Sequence, residues 1–170
     1  MHRASALILS ALFLGATSAA AQQAPQGCHG PRQKQFDFWV GSWEVTDSAG
    51  GTVLGINDVT SEEQGCLIHE HWVGSRGGTG QSFDYFDRPK GAWQQDWVGS
   101  GGDILHLVGQ FEGGAMVLEG DAPAGPGVTA HHRAMWIPQP DGRVRQYWRQ
   151  TTDGGKTWTI AFDGWYRKRP

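Results

Sequence analysis

The chain has 170 residues, which is enough for one domain with a single core. It holds 26 Gly and 9 Trp, and its net charge is −3. Such a charge does not suit a protein that follows a phosphate backbone, so we do not expect nucleic acid as a partner. Abundant glycine favours turns and β-bulges over long helices.

Residues 1–21 have the pattern of a secretory signal peptide. Arg3 supplies a positive charge, residues 6–16 form a short apolar segment, and residues 19–21 are alanines that offer a cleavage site. The apolar segment is too short to be a stable membrane span, and no later segment is apolar enough to be one. We therefore predict a secreted or periplasmic protein. The predicted organisation is a signal peptide (1–21), an N-terminal extension (22–35) and one domain (36–170).

The two cysteines, Cys28 and Cys66, are expected to form a disulfide. Two cysteines in an exported chain usually pair with each other. Their spacing does not match the CxxC pattern of redox or metal sites. The bond would connect the segment before the domain to the start of the third predicted strand.

The segment 36–45 is dense in aromatic residues and begins the predicted domain. Phe36 shares one side of a short helical turn with Trp39 or Val40. From Trp43 onward the pattern alternates with a period of two, which indicates a strand. We predict a short helical turn that leads into the first strand of a sheet.

Alternating runs separated by glycine turns continue to the end of the chain, whereas 121–127 has two prolines, no periodicity and the pattern of a loop. About ten strands with short hairpin turns favour an all-β fold, a single antiparallel up-and-down β-barrel, because closure removes exposed strand edges. A two-sheet sandwich is the alternative. The predicted strands are 42–47, 53–60, 66–73, 81–87, 92–98, 104–110, 115–120, 130–137, 144–151 and 158–167.

The sequence Gly41-Ser42-Trp43, at the entrance to the first strand, resembles the G-x-W motif of calycin barrels. This group includes lipocalins, fatty-acid-binding proteins and nitrobindin-like proteins. The resemblance implies that Trp43 closes one end of the barrel and that Arg167, at the end of the last strand, packs across it. Segment 36–45, with Gly65-Cys66 and 163–166, is also similar to uncharacterised bacterial exported calycin-like domains. The strand count resembles the fatty-acid-binding or nitrobindin layout more than the lipocalin one, and the lipocalin C-terminal helix is absent.

Alternate residues of a closed barrel point inward. On 92–98 the predicted inward residues are Trp93, Gln95 and Trp97. On 144–151 they are Val144, Gln146, Trp148 and Gln150. On 66–73 the pattern leaves open which of two sets points inward. These sets are Ile68, Glu70 and Trp72, or Leu67, His69, His71 and Val73.

An interior of Trp and Gln side chains has two interpretations. It could be a filled structural barrel or interaction domain, in which the amides bond one another. It could also be a cavity that binds a ring by stacking, with the amides fixing its orientation. We predict a binding protein for a small apolar or aromatic molecule, with no cofactor. The candidate ligand-binding residues are Trp93, Gln95, Trp97, Gln146, Trp148, Gln150, Glu70 and His71.

The segment His69-Glu70-His71 supports a different hypothesis, an enzyme. His69 and His71 lie on one strand face at a spacing that could share a metal ion, and Glu70 could act with them in acid–base chemistry. Similarity to nitrobindin implies haem, with His71 or His106 as the ligand. No motif identifies a nucleophile or a metal set, so no catalytic or metal residue is assigned. The candidates for a third metal ligand are His106, His131 and His132.

Overall fold

The computed structural model describes residues 27–47 and 51–170. The predicted signal peptide and the first part of the extension lie outside the described residues. No helix within the described ranges is long and apolar enough to cross a membrane.

Ten strands and two 3₁₀ turns make up the regular structure of the described chain. The first turn (Asp37–Trp39) precedes β1, as predicted, and the second (Glu63–Gly65) precedes β3. The strands are β1 (Gly41–Asp47), β2 (Val53–Glu62), β3 (Leu67–Gly74), β4 (Thr79–Asp87), β5 (Ala92–Gly99), β6 (Ile104–Glu112), β7 (Ala115–Gly125), β8 (Val128–Pro138), β9 (Val144–Thr151) and β10 (Thr159–Lys168).

The strands form one closed antiparallel barrel in up-and-down order. Each strand pairs with its neighbours along the chain, and β1 pairs with β10 to close the sheet. The predicted fold class is confirmed, and the sandwich alternative is wrong. Closure leaves no unpaired sheet edge, so the protein needs no helix to cover one.

The hairpin between β7 and β8 differs from the prediction. Residues 121–127 were expected to form a loop, but β7 continues to Gly125 and β8 starts at Val128. The pairing register shifts between Pro123 and Gly125, which marks a β-bulge. Proline cannot donate a ladder hydrogen bond and is found at such bulges, and the local alternation of side chains is therefore lost.

An aromatic plug fills one end of the barrel. We define it as Phe36, Trp39, Trp43, Trp93 and Trp136, all of which are buried. The Phe36 ring stacks on Trp39 at a centroid distance of 5.0 Å and meets the edge of Trp136 at 5.3 Å. Trp43 Nε1 donates a hydrogen bond to the Trp39 carbonyl at 2.8 Å. The short turn before β1 therefore folds into the barrel end, where its aromatic rings form the core.

The cation that lies over Trp43 is Lys168, and the assignment of Arg167 to this role is wrong. In the β1–β10 register Trp43 is opposite Lys168, whereas Glu44 is opposite Arg167. Lys168 Nζ lies 5.4 Å from the Trp43 ring centroid. Arg167 pairs with Glu44 on the outer face, because successive residues of a strand point to opposite sides.

Gly41 begins β1 with a φ of 152°, a backbone conformation that L side chains rarely adopt. A Cβ atom there would lie 3.5 Å from the Trp43 ring, an ordinary contact distance, so the backbone conformation and not the available space favours glycine. Glycine at this position thus lets the chain enter β1 while the indole of Trp43 lies against the backbone.

The predicted disulfide between Cys28 and Cys66 is present. The backbone N–H of Cys28 also donates to the Gln64 carbonyl at 3.0 Å. Together they attach the segment before the plug to the start of β3. Such bonds form and persist in oxidising compartments.

Candidate ligand-binding cavity

A cavity of about 130 Å³ lies inside the barrel, beyond the aromatic plug. Tyr166 separates the two, since its ring contacts Trp39 and Trp43 on one side and lines the cavity on the other. The remaining lining is aromatic (Trp72, Trp97, Trp148, Phe162), aliphatic (Leu105, Leu107, Ala134) and polar (Glu70, Gln95, Gln146).

Three aromatic side chains of the cavity wall lie against glycines. A Cβ atom at Gly80 would lie 2.2 Å from Cζ2 of Trp97, and one at Gly55 would lie 2.7 Å from Cη2 of Trp72. Gly164 has the same relation to Phe162, at 2.5 Å. Glycine inside a strand commonly marks such a close approach. The absent side chains thus provide the space in which these rings lie flat against the barrel wall.

The polar side of the cavity belongs to a buried network around Ser82. Ser82 Oγ lies 2.7 Å from Glu70 Oε2 and 2.9 Å from Asp84 Oδ2. Asn57 Nδ2 donates to Glu70 Oε1 at 2.8 Å, and Gln95 Nε2 donates to Asp84 Oδ1 at 2.9 Å. All five side chains are buried, so these contacts are not shared with bulk solvent.

The network requires a proton on one of its two carboxyl groups. Ser82 has a single hydroxyl proton and can donate it to only one of them. Burial raises the pKa of Asp84 well above its usual value, and the nearby charge of Glu70 raises it further. Burial raises the pKa of Glu70 to about 7, against the opposing hydrogen bonds from Ser82 and Asn57. Asp84 therefore keeps a proton and donates it to Ser82, while Glu70 is the group that ionises near neutral pH.

Tyr166 and Gln146 complete the polar lining. The Tyr166 hydroxyl donates a hydrogen bond to Gln146 Oε1. Burial, followed by the charge of Glu70, raises the pKa of Tyr166 well above its usual value. The hydroxyl therefore stays protonated and neutral in the interior.

A second depression, of about 390 Å³, forms the mouth of the cavity and shares Trp97, Leu105 and Trp148 with it. Trp97 Nε1 donates to Asp103 Oδ2 at 2.8 Å, and Trp148 Nε1 donates to His132 Nδ1 at 3.0 Å. Burial, and then the neighbouring His131, lowers the pKa of His132. Because its Nδ1 accepts a hydrogen bond, the His132 ring is neutral. Among the described residues that line the cavity and its mouth there is no Lys or Arg.

Five of the residues proposed from the sequence line the cavity: Glu70, Gln95, Trp97, Gln146 and Trp148. Trp93 instead lies in the plug, where it meets the Phe36 ring edge-on at 5.7 Å. Gln150 follows Trp148 by one inward position, beyond the cavity lining, and is opposite His132 on β8. His71 is exposed on the outer face and borders a shallow depression with Phe83 and Asp96.

The inner face of β3 carries Ile68, Glu70 and Trp72, which settles the orientation that the sequence left open. His69 lies outside the barrel, where its ring contacts Glu62 at 3.2 Å and Gln81 at 2.8 Å. The side chains of His69-Glu70-His71 therefore do not converge on one site.

Two of the other candidate histidines, His106 and His131, also contact carboxylates on the outer surface, whereas His132 is buried beside Trp148. His106 Nδ1 lies 2.7 Å from Asp96, and His131 Nδ1 lies 2.7 Å from Asp121. In the described part of the chain no group of three or more His, Cys, Asp or Glu side chains is placed to hold a metal ion. An interior haem ligand is not available from His71 or His106, since both are exposed.

Sequence reasoning missed Asn57, Ser82, Asp84 and Tyr166. On β4 the larger aromatic residues Phe83 and Tyr85 gave the stronger signal, but they point outward. The informative signal was Phe86, which shares a face with Ser82 and Asp84 and packs against the core. When the inward residues of a strand are mostly polar, the sequence identifies the inner face only if another residue on that face is clearly apolar.

Comparison with known proteins does not assign the chain to a family. No protein-family profile matches it, and a search of curated proteins finds no similar sequence. Since one fold hosts many functions, a function for this barrel has to be argued from the chemistry of its cavity.

Proposed function

We propose that the protein is an exported calycin-like barrel that binds a small apolar molecule, with a body about the size of one aromatic ring, in its interior cavity. The observation that carries this proposal is the cavity itself, which has aromatic walls and a few polar groups on one side. A buried apolar cavity of ~150 Å³ is large enough for benzene, and this one has a volume of about 130 Å³.

The distribution of the core argues against a barrel filled by its own side chains. The plug closes one end, while Trp97 and Trp148 stand on either side of open volume at the other. A closed barrel, a Trp43 that plugs one end and a cation over its ring are features that the calycin resemblance implies. The signal-peptide pattern and the disulfide support export.

Native mass spectrometry of the protein purified from the cell that exports it is the direct test. Additional mass that disappears on denaturation supports binding, and its value gives the size of the ligand. A bare mass, together with no binding of toluene, phenol, indole or benzyl alcohol in calorimetric titrations, would favour the filled barrel.

Substitution of Trp148 by alanine is expected to weaken binding of benzyl alcohol by about tenfold, because an aromatic contact contributes roughly 1 kcal/mol beyond its buried area. Isothermal titration calorimetry measures the change. The matched control is Trp158→Ala, because Trp158 lies outside the barrel, under the guanidinium of Arg149 at 4.4 Å. Equal affinities for wild type and Trp148→Ala would place the ligand elsewhere.

A further inference from the structure

The polar network beside the cavity contains a buried hydrogen-bond acceptor without a partner in the described part of the chain. Asn57 Nδ2 donates to Glu70, but Asn57 Oδ1 is buried and has no hydrogen-bond partner among the described residues. Both oxygens of Glu70 already act as acceptors. Of Glu70 and its partners Asn57 and Ser82, only Glu70 lines the cavity, so its carboxyl group is the acceptor that a ligand there would meet.

The charge of the site points in the same direction. Four neighbouring strands present a polar or titratable group near Glu70: Asn57 from β2, Ser82 and Asp84 from β4, Gln95 from β5 and Tyr166 from β10. None of these groups is a cation. His69 is the nearest basic side chain on β3, and it points to the outer face. At the mouth Asp103 adds a further carboxylate, while His132 is neutral.

Glu70 is thus a buried carboxyl group without a cationic partner, at the polar side of an aromatic cavity. An isolated buried charge is costly unless it is paired. Aromatic faces attract cations, and an ammonium group adjoining an apolar body matches aromatic walls that end in a carboxylate.

We infer that the ligand is an organic ammonium whose N–H groups donate to the Glu70 carboxylate, while its apolar body of one ring packs between Trp97 and Trp148. This inference rests on the proposed function, because it names the chemical class of ligand for the same cavity. An ammonium carries three donors and no acceptor, which suits a carboxylate that lines the cavity. A carboxylate ligand has no basic partner in the described lining, and a neutral alcohol leaves the ionised Glu70 unpaired.

Three probes of the same shape test the class of ligand. Benzylamine, benzyl alcohol and benzoate are titrated calorimetrically at about pH 8, where Glu70 is ionised. We expect benzylamine to bind at least tenfold more tightly than benzyl alcohol, with benzoate weakest. Glu70→Gln is expected to abolish the preference for benzylamine over benzyl alcohol. The control Glu112→Gln removes the same charge from an exposed outer position and is expected to behave like wild type.

A pH series on the wild-type protein gives a second test that needs no variant. Benzylamine stays protonated between about pH 6 and about pH 8, whereas Glu70 changes from mostly neutral to mostly ionised. Because only the ionised fraction binds the ammonium well, its affinity should fall roughly tenfold on going from about pH 8 to about pH 6. Benzyl alcohol should show little change.

The outcomes separate this inference from the proposed function. If no probe binds, both are overturned. If benzyl alcohol or benzoate binds as tightly as benzylamine, the cavity is a binding site but the ammonium class is wrong. If benzylamine is preferred but its affinity does not respond to pH or to Glu70→Gln, the recognition by Glu70 is wrong.

Discussion

Replacement of Trp43 by alanine is expected to lower the free energy of unfolding by about 3–5 kcal/mol. The Trp43 side chain is fully buried, and its ring meets Tyr166 edge-on at 6.2 Å. Its removal leaves a void in the plug beside Tyr166, and the Trp39 carbonyl loses a buried hydrogen-bond donor. Urea unfolding followed by circular dichroism measures the change.

Trp158→Ala is the matched control for this variant, because Trp158 lies on the outer face and is partly exposed. Its loss is expected to cost about 1 kcal/mol or less, as is usual for surface substitutions. If Trp43→Ala cost no more than this control, Trp43 would not close the barrel and the interpretation of the plug would be wrong.

The free energy of unfolding of the wild-type protein is expected to contain a contribution from Glu70 that falls as the pH rises from about 5 to about 7. Burial raises the pKa of Glu70 in the folded state from 4.5 to about 7. In this range the unfolded chain has released the proton and the folded chain still binds it, so unfolding releases a proton and becomes more favourable at higher pH. Each pKa unit corresponds to about 1.4 kcal/mol, so ionising Glu70 costs the folded state about 3 kcal/mol above this range.

Glu70→Gln should remove this contribution. Its side chain keeps the shape of Glu70 and accepts a hydrogen bond from Ser82. Rotation of the Asn57 amide, which now presents Nδ2 to Glu70, would bring Asn57 Oδ1 to the new N–H donor. We therefore expect the variant to be about 3 kcal/mol more stable than wild type at about pH 8, and similar to it at about pH 4.5.

Denaturant titrations of wild type and Glu70→Gln across this pH range measure the difference. Taking the difference cancels the contributions of other groups, such as Asp153, whose pKa the hydrogen bonds from Thr157 and Thr151 lower to about 2. Glu112→Gln is the control for the loss of one charge at an exposed position. A pH-independent difference between wild type and Glu70→Gln would contradict the raised pKa.

The fold could be predicted because the strands of this chain are short and their limits are marked by turn residues. On β5 the alternation of Trp93, Gln95 and Trp97 with Gln94, Asp96 and Val98 identified the inner face. The seam between β1 and β10 is different. Whether Lys168 or Arg167 lies opposite Trp43 depends on a shift of one residue in the pairing register between β1 and β10. The alternation pattern of a single strand does not determine that register.

The polar part of the site could not be predicted, because polar side chains point inward there and apolar ones point outward. On β4 the interior receives Ser82 and Asp84, while the aromatic Phe83 is exposed outside. On β3 one face carries Glu70 and the other carries His69 and His71, so both faces have titratable side chains. Only the contacts of Glu70 with Asn57 and Ser82 on the neighbouring strands place it inside the barrel. The polar side chains of such a network can be buried only when all of them are hydrogen-bonded to one another. Because the partners come from several strands, the sequence of a single strand does not reveal the network.

Three glycines behind the cavity wall affect the shape of the cavity. Gly55, Gly80 and Gly164 set the positions of three rings without belonging to the lining themselves. A methyl group added at Gly80 would lie 2.2 Å from the Trp97 ring and would force that ring to move, which changes the shape of the cavity. Under the proposed function, the size of the accepted ligand is then set in part by residues that do not contact it. Related chains with identical lining residues are expected to differ in what they bind when one of these glycines is replaced.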